Sequence, residues 1–234
     1  SDLFKIIQLG NITKTNSTSL KELFLFLFRK NSIIYKDIFH KAKLLLFVEE
    51  NDNQVRQIVN SDSLLLKNNI IQNLSKEELF LLMLQKSLIT DKFLEKLLTK
   101  LRSEILFTLF DSNQNVLKEY LDFIFSLSEQ CFLNEYVYIQ SKKETNHVNQ
   151  LKNKIIKNKE INELEIAILG CYISLNSSKK IANKLLSYKS KNILFNDLIT
   201  LQIKEPLKEI KLVNSIKSFD KIVDPVSKEV REQY

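Results

Sequence analysis

Two cysteines and two histidines are the side chains best suited to chemistry in this 234-residue chain. Cys131 and His147 could in principle form a nucleophile and its base. Nothing in their spacing favours the pair. Cys131 and Cys171 each sit among apolar residues in the sequence, which predicts buried, reduced thiols. A disulfide between them stays open at this level. His40 and His147 lie in separate segments, and no C-x-x-C, H-x-x-x-H or H-E-x-x-H spacing occurs, so no structural zinc site is expected. The acid pairs Glu49-Glu50 and Glu77-Glu78 are adjacent residues, which point different ways on a helix, and they read as solvated acids. No serine sits in a G-x-S-x-G elbow.

The chain has only 2 Gly and 2 Pro. Gly10 and Gly170 stand alone, so neither G-x-G-x-x-G nor a P-loop can be written. A glycine-rich cradle for a nucleotide, or for a nucleotide-like methyl donor, is therefore not expected. Catalytic, cofactor and metal residues are all read as none.

The most unusual stretch is Gln130-Cys131-Phe132-Leu133-Asn134-Glu135-Tyr136-Val137-Tyr138. It sets Gln, Asn and Glu among aromatics inside an expected helix. One reading is a helix contact in which Asn134 and Glu135 cap nearby backbone groups. The other is a polar pocket for a peptide or small ligand.

The formal charge is +7. Arginine occurs only at Arg29, Arg56, Arg102 and Arg231. The lysines read as spread along the chain and interleaved with Glu, hence as solvated helix faces; a nucleic-acid partner is not expected. No signal peptide is seen, and the longest apolar runs, Leu23 to Phe28 and Phe80 to Leu84, are too short to cross a bilayer. The expected location is the cytoplasm, with no membrane span.

Helical periodicity dominates. Ser19-Leu-Lys-Glu22 and Ser75-Lys-Glu-Glu78 have capping-box form, and Thr90 or Asp91 caps a long helix with Phe93, Leu97, Leu101 and Ile105 inward. A helix from Val116 runs toward Tyr138, with a break near Leu133-Asn134. Further helices are expected over residues 33–48, 141–158, 160–172 and 192–204, and one capped by Ser177 or Ser178. A polar stretch, Glu49 to Asn53, breaks the pattern. Pro206 fits the first turn of a new helix, and a last helix is expected from Lys228 to Tyr234. The fold class is all-α, an irregular helical-hairpin or solenoid-like stack of roughly nine to eleven helices. No regular 34-residue repeat shows. A soft boundary divides an N-terminal helical subdomain, residues 1–74, from a helical domain over 75–234.

Three stretches resemble the helical region that precedes the catalytic domain in a family of bacterial S-adenosylmethionine-dependent methyltransferases, many of which carry tetratricopeptide repeats. They are ITDKFLEKLLTKLRSEIL (Ile89 to Leu106), SEQCFLNEYVY (Ser128 to Tyr138) with Glu144 following, and QIKEPLKEIKL (Gln202 to Leu212) leading to IVDPVSKEVREQY (Ile222 to Tyr234). The resemblance covers about residues 75 to 234. It implies a methyltransferase domain in cis beyond Tyr234, with S-adenosylmethionine as the cofactor of the parent protein and not of these residues. The positions that match are Gln130, Cys131, Asn134, Glu135, Tyr136, Glu205, Pro206, Ser227, Arg231, Gln233 and Tyr234, taken as interaction or interdomain residues. The implied role is to present a protein or peptide substrate and to dock the catalytic domain. The alternative is a stand-alone helical interaction scaffold with no enzyme activity.

Overall fold

The structure, a computed structural model, describes residues 17–30, 34–47, 49–61, 63–111 and 114–215. Among them every regular element is helical and no strand occurs. The α-helices are α1 (Ser17–Phe28), α2 (Tyr35–Leu46), α3 (Glu49–Asn60), α4 (Asn69–Ser75), α5 (Glu78–Lys86), α6 (Lys92–Phe110), α7 (Leu121–Leu133), α8 (Lys142–Lys157), α9 (Glu163–Gly170), α10 (Lys179–Leu186), α11 (Ile193–Ile199) and α12 (Glu205–Ser215). Short 3-10 turns cover Leu65–Lys67, Gln114–Tyr120 and Leu175–Ser177. A π-helical turn, Thr200–Lys204, joins α11 to α12 without a break, so the two form one rod and the described residues hold eleven rods. The expected all-α stack is therefore the fold, and none of these helices is long and apolar enough to cross a membrane.

The axis of the stack is α7. Helices α5, α9 and α11 pack directly on it, and every residue from Phe123 to Cys131 is buried. A helix enclosed on all sides has to be apolar on all sides. The α7 sequence nearly is, with Phe123, Ile124, Phe125 and Leu127 all at 1% exposure or less. Its exceptions, Ser126, Ser128, Glu129 and Gln130, are equally enclosed, and such polar groups must find partners. Around this axis, α6 packs on α8 and α9. At the N-terminal side α1, α2 and α5 meet around Phe24, Phe28, Ile38, Ala42, Leu79 and Met83.

Short polar side chains start the helices by accepting from amides that no helical carbonyl serves. Asn68 accepts from Ile70 N at 2.9 Å and Asp91 from Leu94 N at 3.0 Å. Asn192 accepts from Leu194 N at 2.9 Å. Two expected capping boxes are corrected. Helix α1 begins at Ser17, which puts Ser19 and Glu22 inside it. Ser75 closes α4, and the cap of α5 is Glu77, whose carboxylate accepts from Leu79 N at 3.3 Å. The reciprocal box that does form is Ser141 with Glu144, at the start of α8. The polar stretch from Glu49 to Asn53 does not interrupt the helices, since it lies within α3. The helix expected over Lys228 to Tyr234 lies outside the described residues.

Candidate functional site

The end of α7 is where the unusual stretch falls. The helix does not run through it but stops at Leu133, with Asn134 as its C-cap. The backbone then closes in the double-bonded pattern that ends many helices: Tyr136 N–H donates to Cys131 O at 2.9 Å and Glu135 N–H to Phe132 O at 3.1 Å. That pattern needs a left-handed residue just past the cap, a place usually held by glycine. Here Glu135 takes it at φ 55°, and Tyr136 follows at φ 61°. Each non-glycine residue in this region costs about 1–2 kcal/mol. Asn134 offsets part of that cost, because its Oδ1 accepts from Tyr136 N at 3.1 Å. Beyond the turn Tyr138 is buried at 6% exposure, and Val137 and Ile139 are exposed at 68% and 84%.

What holds this turn comes from far along the chain. Gln202, fully buried in the π-helical turn, accepts from Tyr136 OH at 3.3 Å and from Leu175 N at 3.2 Å through Oε1. Its Nε2 donates to Ser128 O at 2.9 Å, to Ser128 Oγ at 3.2 Å and to Gly170 O at 3.2 Å. One side chain thus links α7, the turn after it, the end of α9 and the 3-10 turn at Leu175. The π-helical turn has a local cause in Pro206. Its nitrogen has no hydrogen to return to the carbonyl of residue 202, and its ring crowds that carbonyl. Widening the helix by a residue relieves the crowding.

Gly170 lets the parts approach. A Cβ built there would fall inside 3.0 Å of Ser128 Oγ and 3.4 Å from Gln202 Nε2. Its φ is not positive, so its need is for space between α7 and α9.

Arg102, on α6, grips the far side of the turn. It is 1% exposed, and its NH2 donates to Tyr138 O at 3.2 Å and Ile139 O at 2.9 Å. The guanidinium carbon stacks 4.3 Å above the Tyr172 ring and 5.6 Å from that of Tyr138. The charge is met by carbonyls and ring faces, both favourable to a desolvated guanidinium. Tyr172 OH donates to Glu144 Oε1 at 2.9 Å and lies 3.1 Å from Arg102 O. Burial pushes the Tyr136, Tyr138 and Tyr172 phenols well above their usual range, so they stay neutral; Tyr136 and Tyr172 make hydrogen bonds, whereas Tyr138 OH has no partner.

The other candidates fall close by. With the amide nitrogen of Gln130 facing α5, it donates to Ser87 O at 2.8 Å and Leu84 O at 3.2 Å, serving carbonyls left open at that helix end. Glu129 is 5% exposed and its Oε1 has no hydrogen-bond partner. Burial, with the nearby Asp197 carboxylate adding and Lys86 opposing, pushes its carboxyl up to about 8. Cys131 and Cys171 are both free and buried. Burial and the adjacent Cys131 push the Cys171 thiol up, which makes it a poor nucleophile. His147 stands apart from them, with its ring edge-on to Phe107 and Phe110. No group of three or more metal-ligating side chains gathers among the described residues.

Glu205 is exposed and Pro206 half-buried, both at the start of α12. That helix continues α11 where a separate new helix is expected from the sequence. Its side chains Ile210, Leu212 and Val213 are 52%, 53% and 67% exposed. Ser227, Arg231, Gln233 and Tyr234 lie outside the described residues. The sequence pattern does not single out Gln202, Ser128, Gly170 or Arg102 as parts of this site. Two signals were present: a glutamine in the apolar register of a helix, and a lone glycine inside an apolar helical run. No family model, curated protein or solved structure matches this chain.

Proposed function

We propose that the chain is a non-catalytic helical domain of a cytoplasmic, bacterial S-adenosylmethionine-dependent methyltransferase. In this reading it presents a protein or peptide partner and docks a catalytic domain in cis. The observation that supports it most is spatial. The three stretches that resemble the methyltransferase-associated region lie far apart in sequence, yet Arg102 of the first and Gln202 of the third both bind the second, at Tyr138 and at Tyr136.

The turn displays Glu135, Val137 and Ile139, and α12 displays Ile210, Leu212 and Val213. Exposed apolar side chains grouped in this way suit contact with another polypeptide. Both groups are assigned to contact with the catalytic domain. S-adenosylmethionine belongs to that domain, and no residue here is assigned to it.

Intact mass spectrometry of the natural gene product, with photolabelling by S-adenosylmethionine, tests this. The expected result is a mass well above 27.5 kDa and label placed outside these residues. A natural product of that mass without label would instead favour a stand-alone scaffold. Label within these helices would overturn the non-catalytic reading.

A further inference from the structure

The charge of this chain is not evenly distributed. The stretch from Ser141 to Lys191 carries eleven lysines, four carboxylates and no arginine, and the remainder is balanced, so the whole +7 excess resides there. This corrects the expectation of lysines interleaved with Glu along the chain. The stretch forms α8, α9 and α10. Helix α8 has five lysines against one carboxylate, and α10 has three against none.

Three of the four carboxylates are already engaged. Glu144 is buried in the α8 capping box, Glu163 accepts from Tyr188 OH at 2.7 Å, and Glu165 pairs with Lys154 at 2.7 Å. Lys184 donates to the carbonyls of Ile155 at 2.8 Å, Ile156 at 3.1 Å and Asn158 at 2.5 Å, closing the end of α8. Lys142, Lys157, Lys159, Lys179, Lys180 and Lys191 are exposed and have no carboxylate within ion-pair distance among the described residues.

Helix stability does not account for the lysines in the first turns of these helices. Lys142 and Lys143 open α8, and Lys179 and Lys180 open α10. A cation in the first turn opposes the helix dipole by about 0.3–1 kcal/mol. Lys154 and Lys157 lie in the last turn of α8, where they suit the helix dipole, although as like charges one turn apart they also repel. The last turn of α8, with Lys154 and Lys157, and helix α10 are brought side by side. Helix α10 packs on α8, Lys184 ties it to the last turn of α8, and Tyr188 ties the segment leading to Lys189 and Lys191 to the start of α9.

We propose that α8 and α10 form a lysine-lined docking face for an acidic polypeptide. This rests on the presenting role proposed above and gives the presented partner its charge. The chemistry favours carboxylates over the other polyanions. Phosphate backbones are best gripped by the planar fork of arginine, which is absent here. Single strands need exposed aromatic platforms; Tyr172 is buried and Tyr188 is held by Glu163. A membrane surface needs an apolar face beside the lysines, and in this stretch the one large apolar side chain that is exposed, among the described residues, is Leu186.

The test is fluorescence anisotropy with a labelled oligoglutamate peptide at low and near-physiological salt. Duplex DNA and phosphatidylserine vesicles serve as competing probes. The triple variant Lys157→Glu/Lys180→Glu/Lys191→Glu is compared with a control of equal charge change, Lys67→Glu/Lys92→Glu/Lys118→Glu. The expected result is salt-sensitive peptide binding that falls at least about tenfold in the first variant and less than about twofold in the control. Hydrogen exchange on the unaltered chain, needing no variant, is expected to show peptide protection confined to α8 and α10. No peptide binding, equal loss in both variants, protection elsewhere, or tighter binding to DNA or vesicles would overturn the proposal. Such a failure leaves the methyltransferase reading to its own mass and labelling test.

Discussion

Tyr136 donates its phenol hydrogen to Gln202 Oε1 at 3.3 Å, joining the turn after α7 to a residue 66 positions later. The two ends of this bond are not equivalent. Tyr136 gives Gln202 one contact, whereas Gln202 also serves Ser128, Gly170 and Leu175 from a fully buried site. Gln202→Ala is therefore expected to destabilise the fold by about 2–4 kcal/mol, since it leaves buried carbonyls and an amide without partners. Tyr136→Phe removes a single long neutral bond and is expected to cost less than about 1 kcal/mol. Urea denaturation of both variants measures the contrast.

Gly170 and Ser128 define the approach of α9 to α7. Gly170→Ala is expected to lose about 1–3 kcal/mol through overpacking against Ser128 Oγ. Ser128→Ala removes that oxygen, so the double variant should lose less than the sum of the two single changes. A double-mutant cycle by denaturation reads the coupling, and simple additivity would mean that the contact does not set the approach.

Glu135 is held left-handed at φ 55° and its side chain is exposed. Replacing it by glycine removes the steric cost while adding freedom to the unfolded chain. The expected net effect is a stabilisation of roughly 0.5–1 kcal/mol, and Glu135→Val should destabilise. A shift in thermal midpoint checks the sign. A loss with glycine would show that the Glu135 side chain supports the turn.

Glu129 links stability to pH. Its carboxyl is raised in the folded state to about 8 from an ordinary 4.5, by burial first and by Asp197 second, with Lys86 opposing. Between those values the folded protein keeps a proton that the unfolded chain has released. Its contribution to stability is therefore fully present below about 4.5 and is lost as pH rises through 8. Glu129→Gln is expected to be more stable than the parent at pH 8.5, by an amount on the order of 2 kcal/mol, and to flatten this part of the profile. Denaturation midpoints from pH 5 to 9 test it, and parallel profiles for the two proteins would contradict it.

Much of the architecture was legible because period and caps are local. The spacing of Leu97, Leu101 and Ile105 foretells α6 and its buried face, with Phe93 only half-buried, and of the two expected caps it is Asp91 that serves. The Ser19 and Ser75 motifs misled because a capping box needs a chain that enters from outside the helix, and both serines lie within helices. The site was half legible. The oddness of Gln130 to Tyr138 marked the right segment, and the break near Leu133-Asn134 marked the helix end. Gln202 and Gly170 were not legible as partners of that segment. Their meaning depends on which helices approach closely, and a pairing between residues 128 and 202 leaves no periodic trace in one sequence.

The most direct test of the convergence on this turn is amide hydrogen exchange compared between the parent chain and Gln202→Ala. If the π-helical glutamine holds the end of α7, exchange over Asn134 to Gln140 and at Leu175 should rise at least about tenfold in the variant, while α1 and α2 stay as they were. Unchanged protection over Asn134 to Gln140, with the variant otherwise folded, would show that the turn keeps its shape without Gln202 and that the separated stretches do not act as one unit.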